Sequence, residues 1–473
     1  MPDLKPNPSV TVVGGGLAGI AAACALAEAG YRVHLLERRP YLGGRASSYE
    51  HPGTGEVIDN CQHVLIGRCT ALLDLYRRLG SSESIRWYDR FTFLTPGGLS
   101  GAKETVIQPG FLPAPFHSSL SFLGAPAFSL ADKIAIARGL SFFLRGIPPD
   151  SSENFAHWLH AHGQTQRAID RFWKPVLVSA LNEDLDRLSV HYAAKVFRES
   201  FLLSPQAGRM GIPAIPLSEL YGRACDYLRA RGSEVSLRTG VDSILPCGNG
   251  WLTMASSKSF QSDAVVFALS FEAMAALLPY LPKNAASEDL AAHLAQFEHS
   301  PITGIHLWLD REVTTLDHAV LLDTTIQWLF NKSRLQPGHR GSEASYLELV
   351  VSASKSLVSM SRQQIIDLAM SELAQFFPAL AGATLLKAVV VKEVRATYSI
   401  RPGLDRIRPH ATSPWPGVFL AGDWTATGWP ATMEGAARSG YYAAEALTRS
   451  LGNAQAFMVG ELPASGLMRM FFS

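Results

Sequence analysis

The stretch VTVVGGGLAGIAAACALAEAGYRVHLLERRPYLGGR, residues 10–45, decides the fold of this chain. Its first four residues are apolar or β-branched and predict a short buried strand, residues 10–13. Three glycines follow, and then an alanine-rich segment, residues 20–29, that predicts a helix ending at Gly30. A second predicted strand, residues 33–36, completes a βαβ unit.

The glycine turn of this unit has the spacing of a dinucleotide-binding turn. Gly14 allows the tight turn, Gly16 lets the backbone approach a pyrophosphate, and Gly19 allows close packing of the helix. The helix N-terminus offers free N–H groups to phosphates, and Glu37 can accept hydrogen bonds from ribose hydroxyls. Such a turn can also serve the backbone alone, but strand, turn, helix, strand and acid occur here in the expected order. The residues that we assign to the dinucleotide are Gly14, Gly16, Leu17, Ala18, Gly19, Glu37 and Arg38.

Length and composition set limits on the class of protein. The 473 residues are enough for two domains, and 47% of them are hydrophobic while only 18% are charged. A formal net charge of +1 argues against a nucleic-acid partner. The five cysteines form no metal-like pairs, so we expect no metal site and a reducing, cytoplasmic location. The uncharged residues 10–27 resemble a signal anchor, but they fit the βαβ unit better, and we expect no transmembrane helix.

The order of predicted elements gives an α/β fold in which two domains alternate along the chain. Residues 111–144 are rich in Leu, Phe and Ala, and they predict helices around an apolar pocket. Beyond residue 205 the predicted strands return to the dinucleotide-binding domain. We predict a Rossmann-type domain from residues 1–90, 205–272 and 390–455, interleaved with an α+β substrate domain from residues 91–204 and 273–389.

Two separated motifs indicate that the dinucleotide is a flavin. Leu42-Gly43-Gly44-Arg45, and the block from Gly422 to Gly440, resemble motifs of the amine oxidase and carotenoid desaturase superfamily. The resemblance implies FAD, with Gly44 and Arg45 along its pyrophosphate and Asp423, after Gly422, on its ribitol. It further implies that Thr432 and Met433 lie at the isoalloxazine and that Val241 contacts the adenine. The Gly422–Gly440 block holds no cysteine, so we expect the FAD to be non-covalent.

A polar run interrupts the otherwise apolar residues 57–66, which we predict to be one strand. Asp59, Asn60, Gln62 and His63 are costly to bury together without partners. The run predicts a wall of the active site, and a satisfied structural network is the alternative.

Within the superfamily, residues 57–67 and the block after Gly422 most resemble the squalene-associated branch, the hydroxysqualene dehydroxylases of hopanoid biosynthesis. By this resemblance, reduced FAD gives a hydride to hydroxysqualene, water leaves and squalene forms. The reaction needs a dry pocket, an acid and stabilisation of an allylic cation. His63, with Gln62 and Asn60, is our candidate for the acid, and a structural histidine is the alternative. Trp424 or Trp429 could face the cation, or could only pack on the flavin.

Other functions remain open on the sequence: an oxidative carotenoid desaturase, an amine oxidase, or a flavin-binding protein without catalysis. The expected partners are hydroxysqualene, an external electron donor and upstream enzymes of squalene synthesis. Because the substrate is lipid-soluble, we also expect peripheral contact with the inner face of the cytoplasmic membrane. The candidate surfaces are residues 140–144 and 467–472, with burial as the alternative.

Overall fold

A computed structural model describes residues 8–255, 258–336 and 345–471. Its first layer is a parallel five-stranded sheet, called here the cofactor sheet. In spatial order its strands are Glu234–Ser236, Arg32–Leu36, Ser9–Val13, Ala264–Ala268 and Val418–Ala421. The predicted βαβ unit is therefore confirmed, although its helix, Leu17–Glu28, begins three residues before the predicted start.

The helix Leu17–Glu28 is buried on all sides. It packs on the cofactor sheet and against the long helix Met433–Ser450. The two helices approach so closely that a Cβ on Gly440 would lie 2.2 Å from the carbonyl oxygen of Ala18. A helix with no solvent face has no need of polar residues, which explains why this segment resembles a membrane anchor in sequence.

The second layer is a mixed seven-stranded sheet, called here the substrate sheet. In spatial order its strands are Leu385–Tyr398, His299–Leu309, Ser345–Ser352, Trp328–Asn331, His318–Leu321, Phe91–Thr95 and Lys103–Ile107. One face packs on the helix Arg362–Leu373, and Ile305, Leu307 and Leu349 belong to this core. The alternate residues, such as His306 and Glu348, point to the opposite face. The interleaved α/β fold with a mixed second sheet is as predicted.

The remaining elements are short strands and helices. The strands are Ser48–Glu50, Val57–Asp59, Leu65–Ile66, Ile85–Tyr88, Met210–Pro213, Val241–Cys247, Gly250–Ala255 and Lys258–Ser262. The α-helices are Thr70–Arg78, Ser119–Gly124, Leu130–Arg145, Phe155–Ala161, Gln166–Ala168, Lys174–Leu181, Val190–Lys195, Leu217–Arg229, Phe271–Leu277, Ala285–Leu294 and Lys332–Leu335, with π-helical turns at Ile169–Trp173 and Val196–Leu202. Within the described ranges, no helix is both long and apolar enough to cross a membrane.

Residues 57–66 do not form the single strand that we predicted. Val57–Asp59 pairs with Ser48–Glu50, whereas Leu65–Ile66 pairs with Met210 and Gly211. The polar residues between these two strands make side-chain hydrogen bonds and do not pair with a neighbouring strand. The domain limits stay a prediction, and the expected boundary at 389–390 falls inside the strand Leu385–Tyr398.

Candidate active site

A cavity of about 1190 Å³ lies between the cofactor sheet and the substrate sheet. Residues from the ends of cofactor-sheet strands line it, among them Val13, Leu36 and Ala268, and so do Phe93 and Phe330 of the substrate sheet. The predicted site residues on its wall are Gly14, Gly16, Leu17, Ala18, Glu37, Arg38, Gly44, Arg45, Asn60, Gln62, His63, Val241, Gly422, Asp423, Thr432 and Met433. Gly19, which lies behind the turn, is not on this wall, and neither are Asp59 and Trp424.

The glycine turn fits a pyrophosphate. Gly14 has φ +106°, and a Cβ there would lie 2.4 Å from the carbonyl oxygen of Ala268. At Gly19 a Cβ would meet the Gly14 carbonyl oxygen at 1.9 Å, so only glycine permits the helix to start so close to the turn. Gly16 is open towards the cavity, with the Gly44 Cα 3.9 Å from the position of a Cβ. The helix that starts at Leu17 has no side-chain cap, so its first N–H groups are available to an anion.

Glu37 is fixed by the backbone around it. Its carboxylate accepts from the N–H of Gly15 at 2.6 Å and from the N–H of Arg39 at 2.7 Å. A carboxylate has about four acceptor positions, so Glu37 retains capacity for ribose hydroxyls. This geometry is consistent with the predicted role.

Arg45 and Asp423 form an ion pair in the wall of the cavity. Arg45 Nη2 lies 2.6 Å from Asp423 Oδ1, and Arg45 Nη1 donates to the carbonyl oxygen of Ala396 at 3.1 Å. The sequence motifs assign these residues to different parts of FAD. The structure shows that they also hold each other in place.

The helix Met433–Ser450 begins at the cavity wall, as predicted. Thr432 caps it, because its hydroxyl accepts from the N–H of Gly435 at 3.1 Å. The next acid, Glu434, is completely buried and accepts from the N–H groups of Ala71 and Leu72 at 3.1 and 2.8 Å. Glu434 thus ties this helix to the helix Thr70–Arg78, a role that the sequence analysis missed.

Asn60 holds the segment around Arg45 through hydrogen bonds of its side-chain amide. Its Nδ2 donates to the carbonyl oxygen of Arg45, and its Oδ1 accepts from the N–H of Ser47 at 3.4 Å. Gln62 is also bonded: its Oε1 accepts from Lys332 Nζ at 3.0 Å, and its Nε2 donates to the His63 carbonyl oxygen at 3.1 Å. Asn60 and Gln62 are therefore satisfied by hydrogen bonds and also line the cavity, and the role of the polar run as a wall of the active site stays a prediction.

The side chain of His63 is oriented by a hydrogen bond to the backbone. Its Nδ1 lies 2.7 Å from the carbonyl oxygen of Cys61, which can only accept, so Nδ1 carries the proton. Burial lowers the pKa of His63 below the ordinary value of 6.5. In the neutral form of the ring, Nε2 is therefore the unprotonated nitrogen. This arrangement suits His63 to accept a proton, and its role as the general acid stays a prediction.

The two candidate tryptophans differ in position. Trp424 does not line the cavity; it is fully buried and donates from Nε1 to the carbonyl oxygen of Leu269 at 2.8 Å. Trp429 lines the cavity, but the guanidinium of Arg438 lies 4.8 Å from its ring centroid and Lys195 Nζ lies 5.7 Å from it. Trp424 is therefore excluded as a cation-facing residue in this structure, and Trp429 already has cations at its ring.

A buried charged cluster includes Asp59 of the polar run, and its other members, Lys332 and Glu348, were missed in the sequence. Lys332 Nζ lies 2.6 Å from Asp59 Oδ2 and 3.4 Å from Glu348 Oε2. Burial opposes the charge of Asp59, but Lys332 and the hydrogen bond from Ser48 keep the pKa of Asp59 below its ordinary value. Burial raises the pKa of Glu348 to about 7, against the opposing effect of Lys332. No motif marks this cluster, because its members lie far apart in the chain.

One part of the cavity is lined mainly by apolar side chains, as we expected for the helical segment. Phe122, Phe128, Leu140, Phe172 and Val176 line this part. A hydrocarbon can pack against these side chains. In the part of the chain that the structure describes, no group of His, Cys, Asp and Glu has the arrangement of a metal site.

Comparisons with known proteins indicate the family of the chain. A family model described as flavin containing amine oxidoreductase matches residues 17–448. A probable zeta-carotene desaturase of Synechococcus elongatus is 26% identical over 93% of this chain and 98% of its own. The 15-cis-phytoene desaturase of Glycine max is 27% identical over 94% of this chain and 80% of its own.

Solved structures show the same fold. An oxidoreductase from Methanosarcina mazei has a TM-score of 0.71 at 18% identity, covering 91% of this chain and 98% of its own. Putrescine oxidase bound to putrescine has a TM-score of 0.68 at 15% identity, covering 94% of this chain and 98% of its own. At these identities the likeness concerns the fold alone.

The chain belongs to the flavin-containing amine oxidoreductase family. It is a flavin-dependent oxidoreductase, and its cofactor is FAD, as the two motifs predicted. The two relatives described above are carotenoid desaturases, the function that the sequence analysis held as an alternative to dehydroxylation.

Proposed function

We propose that this protein is an FAD-dependent desaturase of a long isoprenoid hydrocarbon of the carotene type. The observation that carries the proposal is the similarity to carotene and phytoene desaturases over more than nine tenths of the chain. The apolar part of the cavity supports it, since a polyene offers no polar group to pair.

The chemistry divides between cofactor and protein. When bound, FAD supplies a hydride acceptor. Formation of a double bond also releases a proton from the neighbouring carbon, which needs an acceptor at the site. The unprotonated Nε2 of His63, fixed by the hydrogen bond from Nδ1 to Cys61, suits that role. The glycine turn and the Arg45–Asp423 pair would hold the cofactor, and the phenylalanine-lined part would orient the chain of the substrate.

Hydroxysqualene dehydroxylation is the second candidate, favoured by the resemblance of residues 57–67 to the squalene-associated branch. It needs an acid at the cavity wall to assist the departure of hydroxide. Burial lowers the pKa of His63, which suits it less to donate a proton. We therefore place desaturation first.

One pair of experiments separates these two functions. Oxidised holoenzyme is mixed anaerobically with phytoene or ζ-carotene in liposomes, and chemically reduced holoenzyme is mixed with hydroxysqualene. We expect flavin reduction and a more unsaturated polyene in the first mixture. Squalene formation in the second, with no polyene oxidation in the first, would overturn the proposal. Putrescine serves as the amine substrate for the remaining alternative.

We also propose that the protein docks on a membrane through a surface beside the cavity. The exposed apolar side chains of this docking surface are Phe111, Phe116, Leu120, Leu123, Leu130, Ile134, Leu467, Met470 and Phe471. Contacts join its parts, since the N–H of Leu467 donates to the carbonyl oxygen of Ala114 at 2.9 Å and Lys133 Nζ donates to that of Leu123 at 2.6 Å. Phe122, within the same segment, lines the cavity.

The charges of this surface favour anionic lipid. Between residues 111 and 145, the charged residues are Lys133, Arg138 and Arg145, together with Asp132, which is buried as a helix cap. Arg469 adds a further positive charge. Of the two predicted surfaces, residues 140–144 turn largely inward, with Phe143 fully buried, so we leave them out of the docking surface. Residues 467–471 remain, and residue 472 lies outside the described residues. The inner face of the cytoplasmic membrane is the location that we propose.

A further inference from the structure

Lys332 is a buried ammonium group with a specific arrangement of acceptors. It follows the strand Trp328–Asn331 and is 1% exposed. Its Nζ contacts Asp59 and Glu348, and it donates to Gln62 Oε1 at 3.0 Å. Burying a charge is costly unless it is paired, so this arrangement calls for a reason beyond packing.

The contact with Lys332 fixes which way the amide of Gln62 points. An ammonium group only donates, so the oxygen of the amide must face Lys332 and the nitrogen must face away. The nitrogen, Nε2, donates to the carbonyl oxygen of His63 at 3.1 Å. An amide nitrogen has two N–H groups, of which this bond uses one, and Gln62 lines the cavity.

The position of Gln62 relates it to the cofactor-binding residues. Two residues before it, Asn60 is hydrogen-bonded to the backbone of Arg45. Further along, the N–H groups of Ala71 and Leu72 bind Glu434 at the start of the helix Met433–Ser450. Gln62 thus lies in the segment that connects the Arg45–Asp423 pair with the helix start expected at the flavin ring.

We propose that Lys332 is a positioning residue that orients the Gln62 amide to donate a hydrogen bond to the flavin ring. Asp59 and Glu348 hold Lys332 in place, and Lys332 itself does not line the cavity. The ring carries carbonyl oxygens and nitrogens that can accept, whereas a hydrocarbon has no acceptor. The inference rests on the cofactor and is independent of the proposed substrate.

The test measures binding of FAD to the apoprotein and the properties of the bound flavin. Gln62→Leu removes the donor, and Gln62→Glu removes it while keeping an acceptor for Lys332. We expect each to weaken FAD binding by about tenfold, equivalent to about 1.4 kcal/mol, and to shift the flavin absorption spectrum and reduction potential. Neither variant removes a member of the ion cluster, so folding is expected to be retained.

The Lys332→Met variant tests the positioning itself. We expect it to reproduce the spectral shift of Gln62→Leu, and the double variant to show no further loss, because the two residues act through one hydrogen bond. Glu372→Gln is the matched control. Glu372 is a buried acid that accepts from the N–H groups of Thr325 and Ile326, away from the cavity lining, so FAD binding should not change.

Two outcomes would overturn the inference. If Gln62→Leu and Gln62→Glu bind FAD with unchanged affinity and spectrum, then Gln62 donates nothing to the ring, and Lys332 is structural. If the variants change only the KM for the substrate, the acceptor lies on the substrate. Failure of the desaturase proposal would leave the FAD measurements unaffected, so the two ideas are tested separately.

Discussion

Arg45 and Asp423 are 378 residues apart in the chain, and their side chains meet at 2.6 Å in the wall of the cavity. Each belongs to a different flavin motif, so the two motifs are physically one unit. Because Asp423 is 6% exposed and Arg45 is 34% exposed, the carboxylate depends on its partner more than the guanidinium does.

Arg45→Met should therefore weaken FAD binding more than tenfold. It removes the cation at the cofactor and leaves Asp423 buried without its partner. We expect Asp423→Asn to weaken binding as well, and the double variant to lose less than the sum of the two. Titration of apoprotein with FAD measures all three. Arg90→Met, which breaks an exposed ion pair with Glu104, is the control and should bind FAD normally. Additive losses at 45 and 423 would show that the pair is not a unit.

Alanine at two glycines of the turn should have different effects. Gly14→Ala places a Cβ 2.4 Å from a backbone oxygen at φ +106°, so we expect a less stable or unfolded protein. Gly16→Ala has room, with Gly44 Cα at 3.9 Å, and its φ is −74°. We expect Gly16→Ala to fold with the stability of wild-type apoprotein but to bind FAD more weakly. Thermal unfolding with and without FAD distinguishes these effects. Normal FAD binding by Gly16→Ala would show that the pyrophosphate does not bind at this position.

The sequence predicted what local patterns can specify and missed what only tertiary contacts create. The glycine turn, the strand–helix order and the Gly422–Gly440 block are local, and the structure assembles them as predicted. The contacts of Lys332 with Asp59, and of Glu434 with Ala71, join residues hundreds of positions apart in the sequence, and no spacing rule detects them. His63 was identified as a residue of the site, but its proton position depends on the carbonyl oxygen of Cys61, which composition cannot reveal.

The pH dependence of turnover tests His63. In the folded protein its pKa lies below 6.5, and the proton acceptor is the neutral ring. We therefore expect kcat/KM to rise with pH through a midpoint below 6.5, and His63→Asn to lose this limb together with about 10²–10⁴-fold in rate. Retained FAD binding by His63→Asn is the control for folding. A rate that instead falls as pH rises through this midpoint would show that His63 acts as an acid.

The stability of the protein should depend on pH through Glu348. Its pKa is raised to about 7 from 4.5, so the folded state binds this proton more tightly than the unfolded state. The stabilisation is complete below the unfolded value and is lost as pH rises towards 7. The nearby Lys332 and Asp59 stay charged. The pKa of His306, which pairs with Glu348 across the sheet, is lowered to about 3. None of these three residues therefore obscures the effect of Glu348.

Glu348→Gln is the variant that isolates this proton. We expect the free energy of unfolding of the wild type to fall, relative to that of Glu348→Gln, as pH rises from 5 to 7.5. Denaturant unfolding of both proteins at several pH values measures the difference, which cancels the contribution of the other histidines and acids. A difference that is constant over this range would show that Glu348 is ionised throughout.

Membrane docking should depend on exposed side chains of the docking surface and on lipid charge. Leu130 and Ile134 are 71% and 61% exposed on one face of the helix Leu130–Arg145, so Leu130→Glu with Ile134→Glu should leave the fold intact. We expect this variant to lose most co-sedimentation with anionic liposomes. Each change removes apolar area that the lipid would bury and adds a negative charge that the lipid repels. Leu386→Glu is the matched control, since Leu386 is 54% exposed on an edge strand of the substrate sheet. Wild-type protein should bind neutral liposomes more weakly than anionic ones. Equal binding of the double variant and the control would place the docking surface elsewhere.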